Sequence, residues 1–159
     1  RHLAASARRA YERTYNPACN LPATVRDPRG STWSFSYDAQ CNLLTAADPA
    51  ALGVSASYLY DAFGQRTRTT DRTGRATNFT YDMAGNPASA TSALGHTCQY
   101  EYDGGGRLIR DEDPLGNERT WEYDALGRLV AAADALAHES TYQYYAAGNL
   151  LRYTDLEGN

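Results

Sequence analysis

Few residues in this chain are of types that do chemistry, and most of those fall on a period. The histidines are His2, His96 and His138. His96 and His138 lie 42 residues apart in equivalent positions. Separated by four strands, they would stand roughly 19 Å apart, too far to share a metal ion. They read as solvated turn residues. Asp38, Asp61, Asp82, Asp103 and Asp124 form a ladder that invites a calcium site. Successive members are expected roughly 10 Å apart, however, and calcium needs oxygens at about 2.3–2.6 Å. Turn capping is the simpler role. Asp111 with Asp113 suggests a glycosidase pair, but the two sit beside a turn with no pocket implied. Gly104-Gly105-Gly106 precedes no helix, so a phosphate loop is unsupported. The aromatic ladder described below can stack on sugars or pack between neighbouring strands, and packing is the reading preferred. Cys19, Cys41 and Cys98 make no CxxC pair and no zinc pattern. No Ser/His/Asp or Cys/His arrangement recurs. The expectation is no catalytic, metal or cofactor-binding residue, and no cofactor.

The elements that position these residues are internal repeats, the first thing to seek in such a chain. Tyr-Asp recurs at Tyr37-Asp38, Tyr60-Asp61, Tyr81-Asp82, Tyr102-Asp103 and Tyr123-Asp124. Tyr144-Tyr145 continues the series without its Asp, and Tyr15-Asn16 opens it with a close substitute. From Tyr15 the steps are 22, 23, 21, 21, 21 and 21 residues, the longest holding an insertion at Ala50-Ala51. A Gly follows four residues after the Tyr, at Gly64, Gly85, Gly106, Gly127 and Gly148, with Cys19 and Cys41 in that slot earlier. An aromatic stands two residues before it: Phe35, Tyr58, Phe79, Tyr100, Trp121 and Tyr142. A second turn opens on Asp27, Asp71, Asp113, Asp134 or Asp155, twice as Asp-Pro-x-Gly.

Two turn signals per repeat of about 21 residues leave two strands of roughly six residues, the usual strand length. The Asp accepts a backbone hydrogen bond two residues on, and the Gly supplies φ > 0. Between turns the residues alternate. In Glu118-Arg119-Thr120-Trp121-Glu122-Tyr123, the Trp and Tyr share one face and Glu118, Thr120 and Glu122 the other. The fold expected is all-β: antiparallel hairpins side by side in one curved sheet or solenoid, since a twisted open sheet that wide must curl. About seven repeats fill residues 9–159, with 9–15 as the second strand of a preceding unit. Residues 1–8 are an N-terminal flank, helical or frayed. The repeat tyrosines should be largely buried and in register, so that Tyr102→Ala costs on the order of 3 kcal/mol.

Composition narrows the class. The formal charge is −4, from 15 basic and 19 acidic residues, and every basic residue is Arg. The charges are mixed with no basic stripe, which argues against nucleic acid. No aliphatic run is long enough for a transmembrane helix. Leu, Ile, Val and Phe total only 22, but 13 tyrosines can replace them, a Tyr ring burying a large apolar area when its hydroxyl finds a partner. Arg1-His2-Leu3 lacks an initiator Met and no signal peptide is visible, so the chain reads as excised from something longer.

The motif Tyr-Asp-x-x-Gly-x-Leu, then Asp-Pro-x-Gly-x, then aromatic-x-Tyr, resembles the YD repeats of Rhs proteins. It is fullest in Tyr123-Asp124-Ala125-Leu126-Gly127-Arg128-Leu129 and in Tyr102-Asp103 through Trp121-Glu122-Tyr123. The resemblance covers roughly residues 11–159, departing from the pattern at Cys19, Cys41, Pro87 and Tyr145. Similar repeats occur in the teneurin ectodomain and in the C component of insecticidal Tc toxins. There, YD arrays form a hollow β-cocoon around a polypeptide, often a toxin domain. The resemblance implies a non-catalytic segment of a shell that encapsulates a polymorphic toxin or effector. Its partners would be the rest of the shell and the enclosed toxin. The protein would be secreted or at the cell surface, a bacterial effector made in the cytoplasm and exported. The self-cleaving Asp segment that closes such shells is not evident here. The rival is an extracellular module binding cell-surface carbohydrate, similar in period to choline-binding repeats. Those are Trp-rich, whereas this chain has only Trp33 and Trp121.

The repeat also carries an expectation for the thiols. Cys19 and Cys41 fill the same slot two strands apart, about 10 Å, and a disulfide needs Cα atoms within about 7 Å. Three free cysteines are expected.

Overall fold

A computed structural model describes residues 10–49 and 52–155. All regular secondary structure among them is β. The strands are β1 (Glu12–Tyr15), β2 (Pro22–Arg26), β3 (Thr32–Tyr37), β4 (Leu43–Ala47), β5 (Ser55–Tyr60), β6 (Arg66–Thr70) and β7 (Ala76–Tyr81). They continue as β8 (Pro87–Thr91), β9 (Thr97–Tyr102), β10 (Leu108–Glu112), β11 (Glu118–Tyr123), β12 (Leu129–Ala133), β13 (Glu139–Tyr144) and β14 (Leu150–Thr154). The fourteen form one open antiparallel sheet in chain order. Two compact units, Arg1–Asn78 and Phe79–Asn159, make it up. The strand expected over 9–15 is shorter, starting at Glu12. The flank 1–8 lies outside the described residues.

Both turns of the repeat share one backbone design. In the first unit Gly64 N–H donates to Asp61 C=O at 3.1 Å and Asp61 N–H to Gln65 C=O at 2.9 Å; Asp71 and Gly74 repeat this at the other end of β6. In the second unit Asp82–Gly85, Asp103–Gly106, Asp124–Gly127 and Asp113–Gly116 do the same. This is a type I turn closed by a left-handed residue in a G1 bulge, the commonest three-residue hairpin loop. The glycines that follow the repeat tyrosines take φ between 77° and 91°. The register slips by one at the tyrosine, as between Leu59 and Tyr60 or Glu122 and Tyr123.

In each unit, large rings oppose small side chains across the strands. Phe35 pairs with Ala46 and Ala46 with Ala56 in the first; Trp121 pairs with Ala132 and Ala132 with Ser140 in the second. Ala56, Ala131 and Ser140 are the buried residues among those described. The other face carries cross-strand hydroxyl pairs, Ser36 with Thr45 at 2.6 Å and Thr80 with Ser89 at 2.7 Å.

The tyrosines Tyr60, Tyr81, Tyr102 and Tyr123 are intermediate in exposure, neither fully buried nor open to solvent. One expectation fails: the thiols are not all free. Cys19 and Cys41 form a disulfide with Cα atoms 5.5 Å apart, and Cys98 alone is unpaired. Two strands still separate the turns, but the first is built differently. Asn20 N–H donates to Asn16 C=O, the left-handed residue is Asn20 (φ 53°) rather than Cys19, and Tyr15 pairs with Pro22. The turn is one residue longer, and Cys19, freed from the bulge position, reaches Cys41, which keeps that position at φ 66°.

Candidate functional site: the turn-capping network

The repeated polar residues converge at the turns. Each capping carboxylate uses one oxygen for two backbone N–H groups. Asp61 accepts from Phe63 and Gln65, both at 2.9 Å; Asp103 accepts from Gly105 at 2.8 Å and Arg107 at 3.0 Å. The second oxygen often takes the side chain four residues after the Asp. Asn42 donates to Asp38 and Asn86 to Asp82 at 3.0 Å, Asn117 to Asp113, and Arg107 to Asp103 and Arg128 to Asp124 at 2.7 Å. Hydrogen bonding to the ionised form holds Asp38, Asp82, Asp103, Asp113 and Asp124 below the usual carboxylate range. The leading donor is the Asn side chain for Asp38, Asp82 and Asp113, and the backbone N–H of Arg107 or Arg128 for Asp103 and Asp124. Acids so held are not poised to exchange a proton near neutral pH.

The same side chains join one repeat to the next. In the second unit the Arg107 guanidinium lies 4.9 Å from the centre of the Tyr123 ring, and Arg128 lies 4.6 Å from that of Tyr144. Arg128 also donates to Tyr145 C=O at 3.2 Å. The Tyr144 hydroxyl donates to Leu129 C=O at 2.8 Å, and in the first unit Tyr37 donates to Pro22 C=O at 2.9 Å. Each of these hydroxyls thus caps a carbonyl at the start of the preceding strand. A Cβ at Gly127 would meet Arg107 Nη1 at 2.8 Å, and one at Gly106 would meet Asn86 Oδ1 at 3.6 Å. Gly85 and Gly148 hold the same left-handed slot.

Sequence reasoning found the Tyr, Asp and Gly positions but missed the residue after the Gly. The signal was present: Asn42, Gln65, Asn86, Arg107, Arg128 and Asn149 fill that slot with long or amide side chains. It also missed Arg110 on the polar face, bonded to Glu101, Glu112 and Glu118 at 2.6–2.9 Å. The pair Asp111 and Asp113 is not brought together as an acid/base site. Asp111 is ion-paired with Arg119, and Asp113 caps its turn. His138 Nδ1 lies 3.1 Å from Asp134, while His96 uses its backbone N–H on Ser92. Among the described residues no three His, Cys, Asp or Glu side chains group as metal ligands. A depression of about 790 Å³ in the first unit is lined by Ser31, Thr32, Ser34, Ala47, Asp48 and Val54 among others, and no aromatic ring.

The RHS Repeat family profile matches residues 20–52, 60–97, 81–116 and 102–139. Among solved structures, the TcdB2–TccC3–Cdc42 crystal structure aligns with a TM-score of 0.70 at 18% identity, over 91% of this chain and 9% of that one. TcdB2–TccC3 without its hypervariable C-terminal region gives 0.70 at 17%, over 94% of this chain and 9% of that one. The Photorhabdus luminescens Tc holotoxin pore gives 0.68 at 18%, over 91% and 9%. At such identities the likeness is one of fold, and this chain aligns with 9% of the length of each of those chains. A search of curated proteins found no significant match. With the family profile covering more than half of its residues, and the Tyr-Asp-x-x-Gly turn as its structural unit, the chain belongs to the RHS repeat family.

Proposed function

We propose that this chain is a structural wall segment of an Rhs-type shell that encloses a toxin or effector polypeptide for delivery outside the producing cell. The observation that supports this best is the commitment of its repeated polar groups to the sheet itself. The capping carboxylates, the arginines that follow the bulge glycines and the Tyr37 and Tyr144 hydroxyls are spent on turns and on links between repeats. Such a surface is built to extend rather than to react. The sheet likeness to Tc toxin assemblies agrees with this role. The partners would be the remaining repeats and the enclosed polypeptide. A carbohydrate-binding role is less well supported, because the depression in the first unit lacks the aromatic platform that sugar stacking needs.

Limited proteolysis of the full-length polypeptide tests the proposal. A segment outside the repeats should resist protease in the native protein and become cleavable once the repeat array is unfolded. Equal cleavage before and after unfolding would sink the shell role. Selective, saturable binding to a glycan array would favour the rival.

A further inference from the structure

Resting on the wall role, we propose that the joint between β2 and β3 is redox-gated: the Cys19–Cys41 bridge holds it shut, and a dithiol reductant releases it. Four other joints within the two units are made without a covalent bond. There the side chain that follows the left-handed residue of one turn reaches the next turn. A Cβ at Gly64 would meet Asn42 Oδ1 at 3.9 Å, one at Gly106 would meet Asn86 Oδ1 at 3.6 Å, and one at Gly127 would meet Arg107 Nη1 at 2.8 Å. Arg128 continues the series by donating to Tyr145 C=O. At the first joint that link is missing. The left-handed residue of the turn at 16–20 is Asn20. The residue after it is Leu21, 37% exposed, whose side chain has no polar atom to offer. The bridge ends instead on Cys41, the left-handed residue of the next turn. A covalent bond thus stands where the other joints have a polar side chain.

The rest of the joint is anchored mainly at its far end. β2 and β3 pair at Thr24 with Ser34, Val25 with Trp33 and Arg26 with Thr32, toward the turn at 27–30. Near the bridge, the Tyr37 hydroxyl donates to Pro22 C=O at 2.9 Å. Cys41 also carries a side chain at φ 66°, a backbone shape that a Cβ disfavours. Reduction keeps that cost and removes the bond that offsets it. Both cysteines are half-exposed, within reach of a small thiol. The exchange is a two-electron step. A reductant thiolate attacks one sulfur of the bridge, and the other cysteine leaves as a thiolate and takes up a proton. The reductant's second thiol then displaces the remaining cysteine, and the reductant departs as a disulfide. A disulfide compound as oxidant reverses these steps. The joint is thereby closed in an oxidising exterior and loosened in a thiol-rich cytosol.

Hydrogen–deuterium exchange of the 159-residue chain, before and after treatment with dithiothreitol, tests this. Reduction of the folded chain should speed exchange in β2, β3 and the turns at 16–20 and 38–41 by roughly tenfold or more, and leave β9 to β12 unchanged. Cys19→Ser combined with Cys41→Ser should exchange like the reduced chain and ignore dithiothreitol. A bridge that dithiothreitol cuts only after unfolding, exchange that reduction does not alter, or exchange that rises equally throughout the array would overturn the proposal. The readout is the joint itself, so its failure leaves the enclosing role standing. Protease attack on an enclosed segment, in turn, says nothing about the joint.

Discussion

At the scale of single residues, the bulge glycine and the capping aspartate define the repeat. Gly127 and Gly74 both sit at φ near 80°, but their surroundings differ. A Cβ at Gly74 meets nothing within 4 Å; at Gly127 it meets Arg107. Gly74→Ala should therefore cost the left-handed backbone penalty, about 1–2 kcal/mol. Gly127→Ala should cost about 0.5–1 kcal/mol more, because Arg107 must leave the Tyr123 ring. Urea unfolding of the two variants measures the difference, and equal values would mean that the Arg–Tyr contact adds nothing. The aspartates set the acid limit. Their folded pKa values lie below the unfolded value, so the ionised caps stabilise the fold above that value. That contribution fades as pH falls through the folded values. The urea midpoint should hold steady from pH 7 to about 5 and drop below about pH 4. A midpoint that does not change down to about pH 3 would contradict the role of the caps.

At the scale of the hairpin, the Cys19–Cys41 bridge ties the first two turns across 22 residues. Alkylation of the unfolded, unreduced chain should label one thiol, Cys98, and three after reduction. Reduction should lower the stability of the N-terminal hairpins by about 3 kcal/mol in the chain-entropy view. Labelling of all three without reductant would mean that no bridge forms. The tyrosine ladder is covered but not sealed: Tyr102→Ala should cost about 2–3 kcal/mol, measured by urea unfolding, somewhat less than a fully buried ring would. The hairpins themselves were legible in the sequence, because Asp-x-x-Gly is a local instruction needing no distant partner. The bridge was not, because it depends on where one extra residue is absorbed. The sequence aligns Cys19 with Cys41, yet the backbone moves the left-handed position to Asn20. The arginines were missed for a similar reason. Arg107 and Arg128 look like ordinary surface charges until their neighbours' rings are in place.

At the scale of the whole molecule, the described turns other than the longer one at 16–20 and the wider connection at 48–54 follow nearly the same design. This makes the array indifferent to how many units it contains. Asp103-Gly104-Gly105-Gly106-Arg107 and Asp124-Ala125-Leu126-Gly127-Arg128 are interchangeable seams, each following a Tyr and preceding a Leu. Excising residues 103–123 would splice Tyr102 directly onto Asp124 and leave every remaining strand with a neighbour of the right kind. The shortened chain should keep its β circular dichroism and unfold with a smaller denaturant dependence, in proportion to the surface removed. Loss of structure would show that the copies are not equivalent. A gene encoding such seams can lengthen or shorten its product by unequal crossing-over without passing through a misfolded intermediate form. The 22-residue step from Tyr15 to Tyr37 departs from the 21-residue period, and its extra residue is absorbed in a wider turn that the Cys19–Cys41 bridge closes.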